Sequence, residues 1–202
     1  MKTYLSIMAI LGWFALIAQY YLHISLGITP PGEATIRFFS YFTILTNIMV
    51  ALCCTMTLLR PGTFFSKPAT FTALTVYIVI VGIIYNLILR FTWQPQGLQR
   101  IVDELLHLVI PLLFFVYWLL FVPKDTLKWN SLLPWLIYPL VYIVYVFIRG
   151  SFSGFYPYPF LDVSAIGISK ALINSIGIAA LFIGMSLFFI AWGKWRSRKA
   201  ID

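Results

Sequence analysis

Six apolar runs divide the chain, at about 4–27, 36–59, 70–91, 104–122, 131–149 and 166–193. Each is long enough for a bilayer core, which takes roughly 20 apolar residues in helical form. Their connections are short, and no segment is left over for a separate soluble domain. The pattern predicts an all-α integral membrane protein, a single domain built as a bundle of six transmembrane helices. The first run is too long for a signal-peptide core, and Tyr20, Tyr21 and His23 stand where a small-residue cleavage site would be needed. It is therefore expected to stay as the first helix. The alternating Tyr and Pro of Tyr156–Phe160 (YPYPF) predict a rigid loop.

Composition agrees with this. Of 202 residues, 61% are hydrophobic and 10% charged, whereas a soluble domain carries about 25% charged residues. The net charge of +8 suggests a nucleic-acid partner only until its placement is considered. With the N-terminus inside, the inner segments hold Lys2, Arg60, Lys67, Lys124, Lys128, Lys194, Arg196, Arg198 and Lys199, and the outer ones hold Arg37, Arg90, Arg100, Arg149 and Lys170. Nine against five gives an N-in, C-in orientation by the positive-inside rule. The tail KWRSRK then reads as a headgroup anchor, and no nucleic acid is expected. Cys53 and Cys54 are adjacent, without metal-type spacing, and read as small buried apolar residues.

Polar residues inside the runs fall at one depth. At about 1.5 Å per residue, Thr43 lies roughly 10 Å below the outer end of the second run. Asn86 and Arg90 close the third run, and His107 is expected one turn inside the fourth. Thr43 and Asn47 are four apart, as are Asn86 and Arg90, Asp103 and His107, and Lys170 and Asn174. Residues so spaced share a helix face. The runs thus predict a polar chamber in the outer-leaflet half of the bundle, with Arg149 and Asp162 at similar depth. Asp103 and Glu104 suit the positive N-terminal end of the fourth helix.

His107 is the ionisable side chain of the run Leu105–Val122, where a charge is costly and therefore marks function. Glu104 and His107 give a Glu-x-x-His half-motif of a carboxylate-bridged metal site. The second copy is missing, so neither metal nor cofactor is expected. The remaining chemistry is a hydroxyl activated by an imidazole. His107 takes the proton of Thr43, and Asp103 or Glu104 fixes the imidazole tautomer. The amide of Asn47 or Asn86 either bonds a neighbouring helix or donates to the oxyanion, and Arg90 and Arg149 either snorkel to headgroups or grip a substrate carboxylate.

Three runs, FSYFTILTNI (39–48), LLHLVIP (105–111) and YPYPFLD (156–162), resemble the androgen-induced and androgen-dependent family of six-span membrane proteins and its bacterial relatives. The resemblance covers most of the chain. It implies an intramembrane threonine hydrolase of fatty acid esters of hydroxy fatty acids, with Thr43 and His107 as the catalytic pair. The Thr-Asn juxtaposition resembles the bacterial branch, and the small size without tails or sorting signals fits a bacterial inner membrane. Two departures stand against a full transfer: Asp-Glu-Leu-Leu precedes the histidine, and the spacing from His107 to Pro111 is one shorter. Two other classes fit the residues: a non-enzymatic binder of lipids or small molecules, and a proton-coupled transporter with His107 and Asp103 as relay.

Overall fold

A computed structural model describes residues 1–198; Lys199, the last cation of the basic tail, lies outside the described residues. The chain is helical and, among the described residues, has no strand. Six helical stretches are long and apolar enough to cross a membrane: Lys2–Ser25, Phe42–Leu59, Pro68–Leu89, Gly97–Phe121, Trp129–Ser153 and Ile168–Ser197. It is an all-α, multi-pass membrane protein. By its internal packing the chain divides into two compact units, Met1–Thr126 and Leu127–Asp202.

The first unit holds four spans. Helix α1 (Lys2–Ser25) packs along α3 (Phe42–Leu59), α3 along α4 (Pro68–Ile84), and α4 along α6 (Ile110–Phe121), which returns to α1. Helices α1 and α3 come close at Gly12, where a Cβ would lie 3.1 Å from Ala51 Cβ. Small residues allow this in membranes, where packing rather than water drives association. Long side chains tie the ring together. Trp13 Nε1 donates to Thr55 Oγ1 at 3.1 Å, Tyr4 OH to Leu113 O at 2.7 Å, and Trp118 Nε1 to Thr72 Oγ1 at 2.9 Å. Leu5, Met8, Val50, Val76, Ile78 and Phe114 fill the space between.

Two boundaries differ from the hydropathy pattern. The second run is broken: α2 (Pro31–Phe38) ends, and α3 begins only at Phe42. Ser40 Oγ donates to Ile36 O at 2.7 Å, a local competitor to the helical ladder, and Tyr41 is extended. Thr43 therefore sits in the first turn of α3 instead of 10 Å inside a span. The fourth span begins earlier than expected, with α5 (Gly97–Glu104) running into a π turn at Leu105–Val109 and on into α6. The charges of GLQRIVDE resemble a loop only in composition. Wound as a helix, they bury Val102 and Asp103. His107 accordingly lies about 15 Å along the helix, at about 1.5 Å per residue, and not one turn in. Asp103 and Glu104 end α5, so they do not cap the positive end of the span.

The second unit pairs α7 (Leu132–Ser153) with α9 (Ile168–Arg198), joined through a loop and the single turn α8 (Val163–Ile166). Gly154 ends α7 with φ 66°, the left-handed conformation glycine reaches without strain. The loop is pinned as expected for its Tyr-Pro pattern. Tyr156 lies over Gly150 so closely that a Cβ there would fall 2.1 Å from its ring, and Tyr158 stacks on Phe160.

Replacing Gly12 by Val is expected to wedge α1 from α3 and to cost about 1–3 kcal/mol, as overpacking does. Gly177, which has open space around it, should tolerate Ala without loss. Denaturation midpoints in detergent compare the two.

Candidate functional site

The site starts from a shortage of backbone donors. In the π turn the Ile110 N–H reaches back five residues to Leu105 O, so it no longer serves Leu106 O, its α-helical partner. The next residue is Pro111, which has no N–H to give His107 O. Two successive carbonyls in a membrane span thus lose their ladder donors. Each would cost about 1–3 kcal/mol if left bare.

Two asparagines from neighbouring helices supply the missing bonds. Asn47 Nδ2, on α3, donates to Leu106 O at 3.3 Å and to Thr43 O at 2.9 Å. Asn86 Nδ2 donates to His107 O at 3.0 Å and to Gly82 O at 2.8 Å. Helix α4 can come this near because Gly82 faces the break: a Cβ there would sit 3.3 Å from both His107 O and Pro111 Cβ. An amide nitrogen has two hydrogens, and both are engaged in each case. Neither side chain therefore keeps a donor for an oxyanion, which corrects the role read from the sequence. Asn47 is 1% exposed, and its Oδ1 finds no partner among the described residues.

Asn86 and Arg90 belong to a second π turn, Tyr85–Leu89, in which Arg90 N–H bonds Tyr85 O at 2.8 Å. One guanidinium nitrogen of Arg90 donates to Asn86 Oδ1 and the other to the Glu104 carboxylate. Arg90 is thereby neutralised within the unit, and the expected grip on a substrate carboxylate gives way to an internal ion pair. Glu104 is likewise committed to Arg90 rather than to the imidazole.

His107 pairs with Asp103, one turn back, as the N-terminal lean of helical side chains predicts. Its Nδ1 lies 3.0 Å from Asp103 O and 3.1 Å from Asp103 Oδ1. A backbone carbonyl can only accept, so Nδ1 carries a proton, and in the neutral ring that leaves the lone pair on Nε2. Asp103 is 3% exposed, and its second oxygen accepts from the Tyr85 hydroxyl. Tyr85 also stacks on the imidazole, ring centroids 3.8 Å apart and planes 14° from parallel. Trp93 Nε1 donates to the phenolic oxygen at 3.1 Å. Sequence reasoning missed both aromatic residues. The one available signal was a phenol beside Asn86 at the end of an apolar run.

Thr43 is buried on the α3 face that also carries Asn47. Through Asn47 that face is joined to the π turn of His107. The structure thus gathers Asn47, Asn86, Arg90, Asp103, Glu104 and His107 into one bonded network, with Thr43 attached through its carbonyl.

The remaining expected residues belong to the second unit. Asp162 is the N-cap of α8, accepting from Ser164 N at 2.9 Å and Ala165 N at 3.2 Å, so its carboxylate serves a turn. Arg149 donates to Ser153 Oγ at 3.1 Å and lies over Phe155. Asn174 Nδ2 holds Phe160 O at 2.9 Å.

Replacing Asn86 by Ala strands the His107 carbonyl and is expected to cost about 1–3 kcal/mol. Pro111→Ala returns a backbone N–H to that carbonyl. In its background Asn86→Ala should therefore cost at least about 1 kcal/mol less. Unfolding of the four proteins closes the cycle, and additive costs would contradict the donor shortage.

Compared with protein-family models, curated proteins and solved structures, the chain matches none.

Proposed function

We propose that the protein is an intramembrane hydrolase of lipid esters in which Thr43 is the nucleophile and His107 the general base. The supporting observation is the setting of His107, whose Nδ1 is held by Asp103 so that the basic nitrogen is Nε2. A buried carboxylate that orients an imidazole in one tautomer is the arrangement required of a base for a hydroxyl. The bond from Asn47 to Leu106 O supports bringing the Thr43 face of α3 to this imidazole.

In the first half-reaction, Nε2 takes the hydroxyl proton as Thr43 Oγ attacks the ester carbonyl carbon. The tetrahedral intermediate collapses by breaking the bond to the ester oxygen, and His107 returns the proton to the leaving alcohol. Water then attacks the acyl-threonine and gives one proton to Nε2. Thr43 leaves with that proton as the acid is released. With both asparagine amides engaged elsewhere, the positive N-terminal end of α3, where Thr43 sits, is the field that favours the developing oxyanion.

The resemblance to the androgen-induced family extends this proposal to fatty acid esters of hydroxy fatty acids. The Thr-Asn juxtaposition and the excess of cations on segments read as inner support a bacterial cell membrane with both termini inside. Arg90 is paired with Glu104, which takes from this network the cation that a carrier of anionic lipids would use.

In purified protein, Thr43→Ala should abolish hydrolysis of a branched fatty ester, and His107→Ala should lower it about 10²–10⁴-fold, as loss of a general base does. Asp103→Asn should fall between His107→Ala and wild type. Unchanged rates in Thr43→Ala and His107→Ala would rule the mechanism out.

A further inference from the structure

Tyr85 touches both members of the Asp103–His107 pair, each with a different part of its side chain. Its ring lies flat on the imidazole at 3.8 Å between centroids. Its hydroxyl donates to the Asp103 oxygen that His107 does not use. The phenolic oxygen is itself held by Trp93 Nε1 at 3.1 Å, so the hydroxyl proton is turned toward the carboxylate. The backbone contributes as well, because Tyr85 opens the π turn that also presents Asn86 to His107 O.

These contacts constrain the two motions that would spoil the base. An imidazole can flip about its χ2 bond, which carries Nδ1 to the place of Cδ2 and Nε2 to that of Cε1, and a flat ring stacked on it opposes that rotation. A carboxylate can rotate its Oδ1 away from Nδ1, and a donor fixed on Oδ2 opposes that. We propose that Tyr85 is a positioning residue, which locks the plane of His107 and the rotation of Asp103 so that Nε2 is presented to Thr43. The assignment rests on the hydrolase reading for its effect on rate, while its effect on the imidazole is measurable without turnover.

The chain has two histidines, His23 and His107, so a histidine-labelled ¹⁵N spectrum in lipid bilayers is simple, and His23→Gln assigns it. Wild type should show His107 protonated at Nδ1 alone. Tyr85→Phe keeps the ring and removes the hydroxyl. It should give mixed tautomers and lower kcat about 10- to 100-fold, with KM within about 2-fold, the pattern of lost orientation. Tyr85→Leu removes both contacts and should lose more. Trp93→Phe, outside the span, should shift both readouts in the same direction by a smaller factor, and it decides the matter if the Tyr85 variants do not fold. A wild-type signal protonated at Nε2 would overturn the proposal. So would a single Nδ1–H form and unchanged kcat in folded Tyr85→Phe and Tyr85→Leu. If Thr43→Ala hydrolyses as wild type does, the hydrolase reading fails by itself, and the tautomer spectrum still decides the role of Tyr85.

Discussion

The carbonyls of Leu106 and His107 are the constraint around which the first unit is built. A π register and a proline remove their helical donors within one turn, in a medium with no water to replace them. The remedy comes from outside the helix. Asn47 and Asn86 reach in from α3 and α4, so the break in one span dictates which helices must be its neighbours. Gly82 follows from the same requirement, since any larger residue would push α4 away from the carbonyl it must serve. The asparagines thus act as interhelical bonds whose partners are backbone atoms, and the distorted helix is stable only in this company.

That distortion places the polar network. Wound without the break, the stretch from Asp103 to Pro111 would offer Asn47 and Asn86 no free carbonyl across the helices. As built, Asn86 and Glu104 share Arg90, and Asp103 shares its two oxygens between His107 and Tyr85. Ionised groups in a span are costly unless paired. Here Glu104 is matched by Arg90, whereas Asp103 is matched by hydrogen bonds alone. A carboxylate so held keeps Nδ1 of the imidazole as the donor, which is the orientation the proposed hydrolysis requires.

Much of this was legible in the sequence, for reasons that differ by level. The six spans follow from apolar length, which the bilayer imposes directly. The pairs Asn86 with Arg90 and Asp103 with His107 follow from a helix repeat that survives a π turn. The turns themselves left one mark, Pro111, because a change of hydrogen-bond register alters neither hydropathy nor charge. Gly97–Glu104 was hidden because charged residues on an amphipathic helix have a loop's composition. The break before Phe42 turned on Ser40 and Tyr41, whose local bonding no periodicity reports. Asn47 and Asn86 read equally as oxyanion donors and as interhelical bonds, and their amides hold backbone carbonyls of the neighbouring helix. Polar side chains in a span can serve a substrate or a backbone, and only geometry separates the two. Asp162 was placed with them by depth alone, and its carboxylate caps a turn.

In the proposed mechanism Thr43 becomes a nucleophile because His107 takes its proton. Fluorophosphonate labelling of the purified protein, followed by mass mapping of the modified peptide, tests this directly. The account predicts a single adduct on Thr43, absent when His107 is replaced by Ala. An adduct on another residue, or a Thr43 adduct that forms equally well without His107, would contradict it.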